Sequence, residues 1–244
     1  MNYLNQAQFN LQQLKNNAYP GRGIILGKSP CSQYWVQVYW IMGRSENSRN
    51  RIFVLENETG FLKTKAFDES KLTDPSLIIY YPMRHDNEHF ILTNGDQTDT
   101  IFEAFKKGKS FEEALDSRQY EPDSPHFTPR ISGVIYKNPQ ESVYKLSILK
   151  AFKNSEEAGC QRFVYSYSKG LAGYGHFIST YQGDGDPIPS FEGEPALMPI
   201  LSSPEETLDL YWNALNMDNK VSLMVQWIEA ATFETKTFIQ NKWN

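Results

Sequence analysis

The order of hydrophobic and polar positions along the chain predicts more strands than helices. The longest strand-like stretch is Tyr34–Met42, which is rich in aromatic and β-branched residues. Further strands are predicted at residues 23–26, 51–56, 131–136, 142–150 and 162–168, with a closing pair at residues 221–229 and 232–240. Residues 77–83 and 88–93 predict a hairpin that turns at residues 84–87.

Helical patterns are fewer, and they interrupt the strands instead of alternating with them. Apolar spacing predicts an opening helix that ends before Tyr19 and a second helix over residues 98–107. Capping residues at Ser110 and Ser203 begin two more helices. Residues 169–199 are dense in glycine and proline and are predicted to be a structured loop region. This pattern favours an α+β domain over a doubly wound one.

Length and charge narrow the classes of function. A chain of 244 residues with a formal charge of −5 is expected to form one sizeable domain without the extended basic face of a general nucleic-acid binder. Its two cysteines, Cys31 and Cys160, cannot supply a disulfide framework or a four-cysteine zinc site. The N-terminal residues lack a signal-peptide pattern, and no apolar run approaches the roughly 20 residues of a membrane span. We therefore expect a cytoplasmic protein without a membrane or nucleic-acid partner.

Four arginines near the ends of strand-like stretches are the most informative chemical feature. Arg44, Arg49 and Arg51 lie close together, and Arg22 follows Gly21 upstream. Guanidinium groups present paired donors that match the oxygens of phosphate or carboxylate. Because the chain is acidic overall, this cluster predicts a pocket for a small, multiply charged anion. The alternative is a set of surface arginines paired with neighbouring glutamates.

Other polar residues lie next to predicted strands. Asn94 and Gly95 supply a tight turn before a helix, where free amides would also suit an anion or a ligand carbonyl. Tyr80 and Tyr81 end a strand-like stretch, so alternation predicts that they point to opposite faces. Glu121 lies in a loop constrained by proline. Taken alone, each of these features is also explained by a structural role.

Several common signatures are missing from the sequence. It contains no phosphate-binding P-loop, no dinucleotide fingerprint and no G-x-S-x-G elbow, and its histidines match no zinc spacing. Many common enzyme classes are thereby excluded, and we predict no metal site.

Six short elements occur in order between residues 19 and 195. They are YPGRG, GRS-x₃-R, I-x-Y-x₃-R, TNG-x₂-TD, YE before TPRI, and GDGDPIPSFEGEP. In this order they resemble the archaeal-type IMP cyclohydrolase family and its bacterial relatives. The resemblance implies a fold like that of the N-terminal-nucleophile hydrolases, a four-layer αββα sandwich of two stacked sheets covered by helices. We expect one such domain over residues 19–244, preceded by a helical extension over residues 1–18.

The resemblance also implies an activity in purine biosynthesis. This activity is the folate-independent ring closure of 5-formamidoimidazole-4-carboxamide ribonucleotide to IMP with loss of water, without a metal or other cofactor. The arginine, tyrosine and glutamate of the family's active site correspond to Arg49, Tyr80 and Glu121. The expected partner is a purine nucleotide substrate, and the sequence leaves room for a homo-oligomer.

Eight further residues within or next to these elements are expected to bind the substrate. The expected contacts are Arg22, Arg44, Ser45, Arg51, Tyr81, Asn94, Gly95 and Arg130. One or more of these arginines would anchor the 5′-phosphate, while Arg49 would polarise the formyl oxygen. Tyr80 and Glu121 would move protons, and Asn94 would orient the carboxamide.

The chain departs from the N-terminal-nucleophile enzymes in one respect. No serine, threonine or cysteine lies just before Tyr19, where processing would have to expose a nucleophile. Two alternatives therefore stay open beside the cyclohydrolase. One is an amide hydrolase or acylase that acts on a related small substrate, and the other is a nucleotide-binding module without catalysis.

Overall fold

The computed structural model describes residues 2–72, 75, 77–153 and 155–243. Its helices are α1 (Tyr3–Asn16), α2 (Glu46–Arg49), α3 (Gln97–Lys106), α4 (Phe111–Leu115) and α5 (Pro204–Ala214), with a 3₁₀ turn at Glu69–Lys71. Its first strands are β1 (Gly23–Lys28), β2 (Tyr34–Met42), β3 (Arg51–Leu55), β4 (Leu62–Ala66), β5 (Met83–His85), β6 (His89–Thr93) and β7 (Arg130–Tyr136). The later strands are β8 (Tyr144–Phe152), β9 (Ser155–Tyr167), β10 (Tyr174–Ser179), β11 (Ala196–Pro199), β12 (Lys220–Glu229) and β13 (Thr235–Asn241).

The strands of the described residues form two antiparallel sheets. The first has six strands in the order β11–β10–β1–β2–β12–β13, and the second has seven in the order β3–β4–β5–β6–β7–β8–β9. The second sheet is a simple meander, because each strand pairs with its neighbours in sequence. Two antiparallel sheets with few helices confirm the α+β class.

One hydrophobic core lies between the two sheets, and the side chains of β2 show how it is built. Tyr39 and Ile41 point into this core, where they meet Phe53 of the second sheet. Val38 and Trp40, which alternate with them along the strand, belong to the core on the opposite face. Because β2 is apolar on both faces, it serves as a central strand covered on both sides.

The helices cover the outer faces of both sheets. Leu14 of α1 and Tyr211 of α5 pack into the outer core of the first sheet, and the Tyr211 ring stacks on Trp40 with centroids 6.1 Å apart. Helices α3 and α4 contribute Ile101 and Phe111 to a separate core on the second sheet. None of the described helices is long and apolar enough to cross a membrane.

The strand predicted at residues 77–83 is wrong, with a consequence for two candidate site residues. Only Met83 belongs to a strand, β5, because the backbone N–H groups of Ile78 and Ile79 both donate to the Pro75 carbonyl and form a turn. Tyr80 and Tyr81 therefore lie outside any strand, and alternation does not decide where they point.

The loop predicted at residues 169–199 is also wrong in part, because it contains strands β10 and β11. The glycines that suggested a loop permit close packing instead. A Cβ at Gly175 would lie 2.6 Å from the Cγ2 atom of Ile25 on the neighbouring strand. The short strand β4 and the short helix α2 were not predicted at all.

Candidate active site

A short helix folds the arginine-rich segment back on itself. The Ser45 hydroxyl accepts a hydrogen bond from the Ser48 N–H at 3.1 Å, and the Ser48 hydroxyl accepts one from the Ser45 N–H at 3.0 Å. These reciprocal bonds cap α2. A Cβ at Gly43 would lie 2.6 Å from the Ser48 hydroxyl, so the turn requires glycine. As a result, the arginines that flank α2 line one cavity, and the arginine within it lines another.

The YPGRG element places the fourth arginine on the same cavity. Gly21 has a φ of +70°, and a Cβ there would lie 2.2 Å from the Thr180 hydroxyl. The backbone N–H of Arg22 donates to that hydroxyl at 3.1 Å, and the Thr180 N–H donates to the Arg22 carbonyl at 2.9 Å. The close approach of two backbones therefore determines where the Arg22 side chain begins.

Three of the four arginines meet at a cavity of about 240 Å³. The side chains around it come from five separate parts of the chain. They are Tyr19, Arg22, Met42, Arg44, Ser45, Ser48, Arg51, Leu77, Ile78, Glu121, Asp123, His126, Thr128, Tyr181 and Ile188. The cavity combines apolar walls with a small number of charged groups, as ligand pockets usually do.

A buried ion pair lies in this cavity. The Nη2 atom of Arg22 is 3.4 Å from the Oε2 atom of Glu121, whose side chain is only 2% exposed. Burial raises the pKa of Glu121 although Arg22 opposes the shift. Burial also disfavours the charge of Arg22, but Glu121 and nearby tyrosines outweigh it and hold the pKa of Arg22 above its ordinary value. A carboxyl group with a raised pKa next to a permanent cation can accept and return a proton.

Two buried guanidinium nitrogens of the arginines that line this cavity have no hydrogen-bond partner among the described residues. They are Nε of Arg22 and Nη1 of Arg51. Arg51 is 1% exposed, and its Nε donates to the Ser48 carbonyl at 2.8 Å. Burial and the nearby charge of Arg22 lower the pKa of Arg51. Because unpaired buried donors are costly, this end of the cavity is suited to an oxygen-rich or anionic ligand.

Arg44 lies at the more exposed side of the cavity and already has an anionic partner. Its Nη1 donates to Oδ1 of Asp184 at 2.6 Å and to the Gly185 carbonyl at 2.9 Å. Its guanidinium carbon lies 5.2 Å from the centre of the Tyr19 ring. A phosphate at this position would therefore compete with Asp184, which comes from the GDGDP part of the last sequence element.

Ten residues of the cavity were not predicted as site residues, and four of them are Asp123, His126, Thr128 and Tyr181. The Thr128 N–H donates to Oδ1 of Asp123 at 2.6 Å, and the Thr128 hydroxyl bonds both Asp123 and the Tyr181 hydroxyl. Burial raises the pKa of Tyr181. All four lie within or next to the sequence elements that carry the resemblance, but among fourteen tyrosines no local signal distinguishes Tyr181.

Arg49, predicted to be catalytic, lies outside this cavity. Its Nε donates to the Gly43 carbonyl at 2.9 Å and its Nη2 to Oδ1 of Asn219 at 3.0 Å. It lines a separate cavity with Phe67 and Trp243. The α2 turn explains this placement, because it rotates Arg49 away from the arginines on either side.

The other predicted substrate contacts are used mostly to hold the fold. Asn94 is buried; its amide donates to the Pro129 carbonyl at 2.9 Å and accepts from the Ile131 N–H at 2.8 Å. Arg130 donates to Oδ1 of Asp96 at 2.7 Å, and Gly95 lies beside it. These bonds tie the turn before α3 to β7.

The two neighbouring tyrosines have different environments. The Tyr81 hydroxyl donates to Oε1 of Glu56 at 2.8 Å, away from the cavity. The Tyr80 hydroxyl is buried and lies 2.8 Å from the Tyr39 hydroxyl. Tyr80 lies close enough to Arg22 and Arg51 to contribute to the pKa shifts of both, but it is not among the described residues that line the cavity.

The fold and this cavity together define a protein that can hold a small anion between buried arginines and a carboxyl group of raised pKa. Over the described part of the chain, no group of three or more His, Cys, Asp or Glu side chains could hold a metal ion. A family model described as IMP cyclohydrolase-like protein matches residues 19–232. The chain therefore belongs to the IMP cyclohydrolase-like family. No curated protein matches the chain.

Proposed function

We propose that this protein closes the purine ring of IMP from 5-formamidoimidazole-4-carboxamide ribonucleotide, with loss of water and without folate. Membership of the IMP cyclohydrolase-like family supports an enzyme of this kind. The observation that carries the proposal is the buried group of Arg22, Arg51 and Glu121 in one cavity, with two guanidinium nitrogens left without partners. Such donors suit the oxygen atoms of the substrate.

Orientation is the largest contribution that the cavity can make to this reaction. The attacking carboxamide nitrogen and the formyl carbon already belong to one molecule, and well-aligned intramolecular steps reach effective molarities of about 10⁵–10⁸ M. In this proposal Arg44 anchors the 5′-phosphate at the more exposed side, displacing Asp184. The ring then extends toward the buried arginines, where the formamido group is turned toward the carboxamide.

In place of Arg49, we assign polarisation of the formyl oxygen to Arg51 and Arg22, whose unpartnered donors match the charge that develops there. Glu121 takes a proton from the attacking nitrogen and returns it to the formyl oxygen, which becomes a hydroxyl. Tyr80, from behind the cavity lining, assists in delivering a second proton to this hydroxyl, which leaves as water while the formamido nitrogen gives up its own proton. General acid–base help of this kind typically contributes about 10²–10⁴-fold.

We also propose that the two sheets and their outer helices correspond to the four-layer arrangement of the N-terminal-nucleophile hydrolases, used here without a nucleophile at the chain start. Residues 19–244 would form one catalytic domain and residues 1–18 a helical extension; residues 1 and 244 lie outside the described part of the chain. Packing of α1 against β11 and α5 supports a stabilising role for this extension.

A direct assay tests the proposal. Purified protein is incubated with the formamido nucleotide in the presence of a chelator and without folate, and formation of the hypoxanthine ring is followed by absorbance. We expect turnover by the wild type, a strong loss in Arg51→Lys because lysine lacks the forked donors, and near-normal turnover in the control Arg49→Lys. Tight IMP binding without turnover would instead support a nucleotide-binding module, and a covalent acyl-enzyme would support an acylase.

A further inference from the structure

Two tyrosine hydroxyls meet in the core beside the cavity. The Tyr39 and Tyr80 hydroxyl oxygens are 2.8 Å apart, and both side chains are buried. Both tyrosines lie close enough to Arg22 and Arg51 to act on the charges of these arginines. Neither tyrosine is among the described residues that line the cavity, and Tyr39 is also absent from the expected site residues. The pair lies behind the cavity lining, so any effect of Tyr39 on the substrate must pass through Tyr80.

Both partners of this contact are held rigidly. Tyr39 lies on the central strand β2 opposite Ile24 and Met224, and its ring stacks on Phe53 with centroids 5.4 Å apart. The backbone of Tyr80 is tied to Thr64: the Tyr80 N–H donates to the Thr64 hydroxyl at 2.8 Å, and the Thr64 N–H donates to the Tyr80 carbonyl at 3.0 Å. The sheet therefore fixes one hydroxyl, and the β4 backbone fixes the residue that carries the other.

The environment of Tyr39 determines which proton can move. Burial, followed by the charge of Tyr80, raises the pKa of Tyr39 well above its ordinary value, so Tyr39 keeps its hydrogen. When Tyr39 donates that hydrogen to the Tyr80 oxygen, the hydrogen of Tyr80 is free to point elsewhere. The same hydrogen bond stabilises Tyr80 when Tyr80 gives its proton away.

We propose that Tyr39 is a positioning residue for the ring closure: its hydroxyl orients the hydroxyl of Tyr80 and stays hydrogen-bonded to it while the proton moves. This inference rests on the proposed function, in which Tyr80 delivers a proton to the leaving hydroxyl. No atoms or electrons are exchanged between Tyr39 and the substrate. Tyr39 acts only through Tyr80.

The test is a double-mutant cycle on kcat. Tyr39→Phe keeps the ring and its stacking on Phe53 but removes the hydroxyl; we expect kcat to fall about ten-fold or more and KM to change less than about two-fold. In a Tyr80→Phe background, Tyr39→Phe is expected to cause no further loss. Tyr211→Phe is the matched control, because Tyr211 is fully buried and its hydroxyl donates to the Pro199 carbonyl at 2.6 Å outside the site.

Each outcome decides the proposal. The proposal is overturned if the kcat losses of Tyr39→Phe and Tyr80→Phe add in the double variant. It is also overturned if kcat is unchanged in Tyr39→Phe, or if Tyr211→Phe lowers kcat equally. If Tyr39→Phe fails to fold, fluorotyrosine at position 39 keeps the hydroxyl and is expected to retain turnover; loss there would show that packing matters and would overturn it too. Lack of turnover in the wild type overturns both the proposed function and this inference. An active wild type with an unchanged kcat in Tyr39→Phe overturns only the inference.

Discussion

Replacement of Glu121 by glutamine separates the chemistry of the buried pair from its contribution to folding. Glu121→Gln keeps the shape of the side chain and one oxygen acceptor for Arg22, but it removes the charge and the proton-accepting group. Removing one partner of a buried ion pair outright costs about 3–5 kcal/mol. Because glutamine can still accept from Arg22, and because the carboxyl already has a raised pKa, we expect a loss of only about 1 kcal/mol in the free energy of unfolding.

The expected loss of activity is much larger. If Glu121 is the general base, Glu121→Gln should lower kcat by about 10²–10⁴-fold, equivalent to about 3–5 kcal/mol in the activation barrier. The base must be ionised to act, and burial raises its pKa above 4.5. The acidic limb of the wild-type kcat/KM profile should therefore lie above pH 4.5 and disappear in the variant.

Two measurements check this reasoning together. Ring formation is followed by absorbance across pH, and stability is measured by urea unfolding for Glu121→Gln and for the control Glu121→Leu, which removes the acceptor as well. The leucine variant should lose about 3–5 kcal/mol of stability and the glutamine variant much less. A glutamine variant with kcat within about three-fold of the wild type would refute the role of Glu121.

Three further predictions follow from separate parts of the fold. Gly21→Ala should lose about 2 kcal/mol or more in urea unfolding, together with nucleotide affinity, whereas Gly108→Ala, with the same φ of +70° but open space around its Cβ, should lose about 1 kcal/mol. Burial lowers the pKa of His176 to about 4. Since the unfolded chain gains the proton first, the free energy of unfolding of the wild type should fall by about 2 kcal/mol between pH 6.5 and 4. If the difference in this free energy between the wild type and His176→Asn stayed constant over that pH range, the prediction would be contradicted. Asp184→Asn should free Arg44, lower KM by about two- to five-fold and leave urea stability unchanged, because exposed ion pairs contribute little; a raised KM would contradict it.

Local patterns succeeded where one face of an element is buried. The stretch Tyr34–Met42 is β2 with the predicted bounds, and the helix predicted at residues 98–107 is α3, shifted by one residue. In both cases the apolar periodicity reports directly on which face meets the core. Local patterns failed at residues 77–83, where hydrophobic residues fill a turn, and at β10, where glycines pack against a neighbouring strand.

The candidate site also contains features that the local sequence pattern predicts and features that it does not. The presence of an arginine cluster and of a Glu121 loop could be read from residue types and their order. Which arginines converge could not, because the α2 turn rotates Arg49 away while Arg51 remains with Arg22. The spacing of residues in the sequence does not predict this four-residue helix, because its position depends on the close approach of Gly43 to Ser48.

The amino-acid order alone thus determined the α+β class, the family and the chemical character of the pocket, since these depend on periodicity, composition and motif order. Tertiary structure decided which guanidinium groups lie without partners, which carboxyl has a raised pKa, and which tyrosine meets Tyr39. These properties depend on burial and on contacts between residues far apart in the chain. Such contacts exist only after two sheets and their loops have packed together.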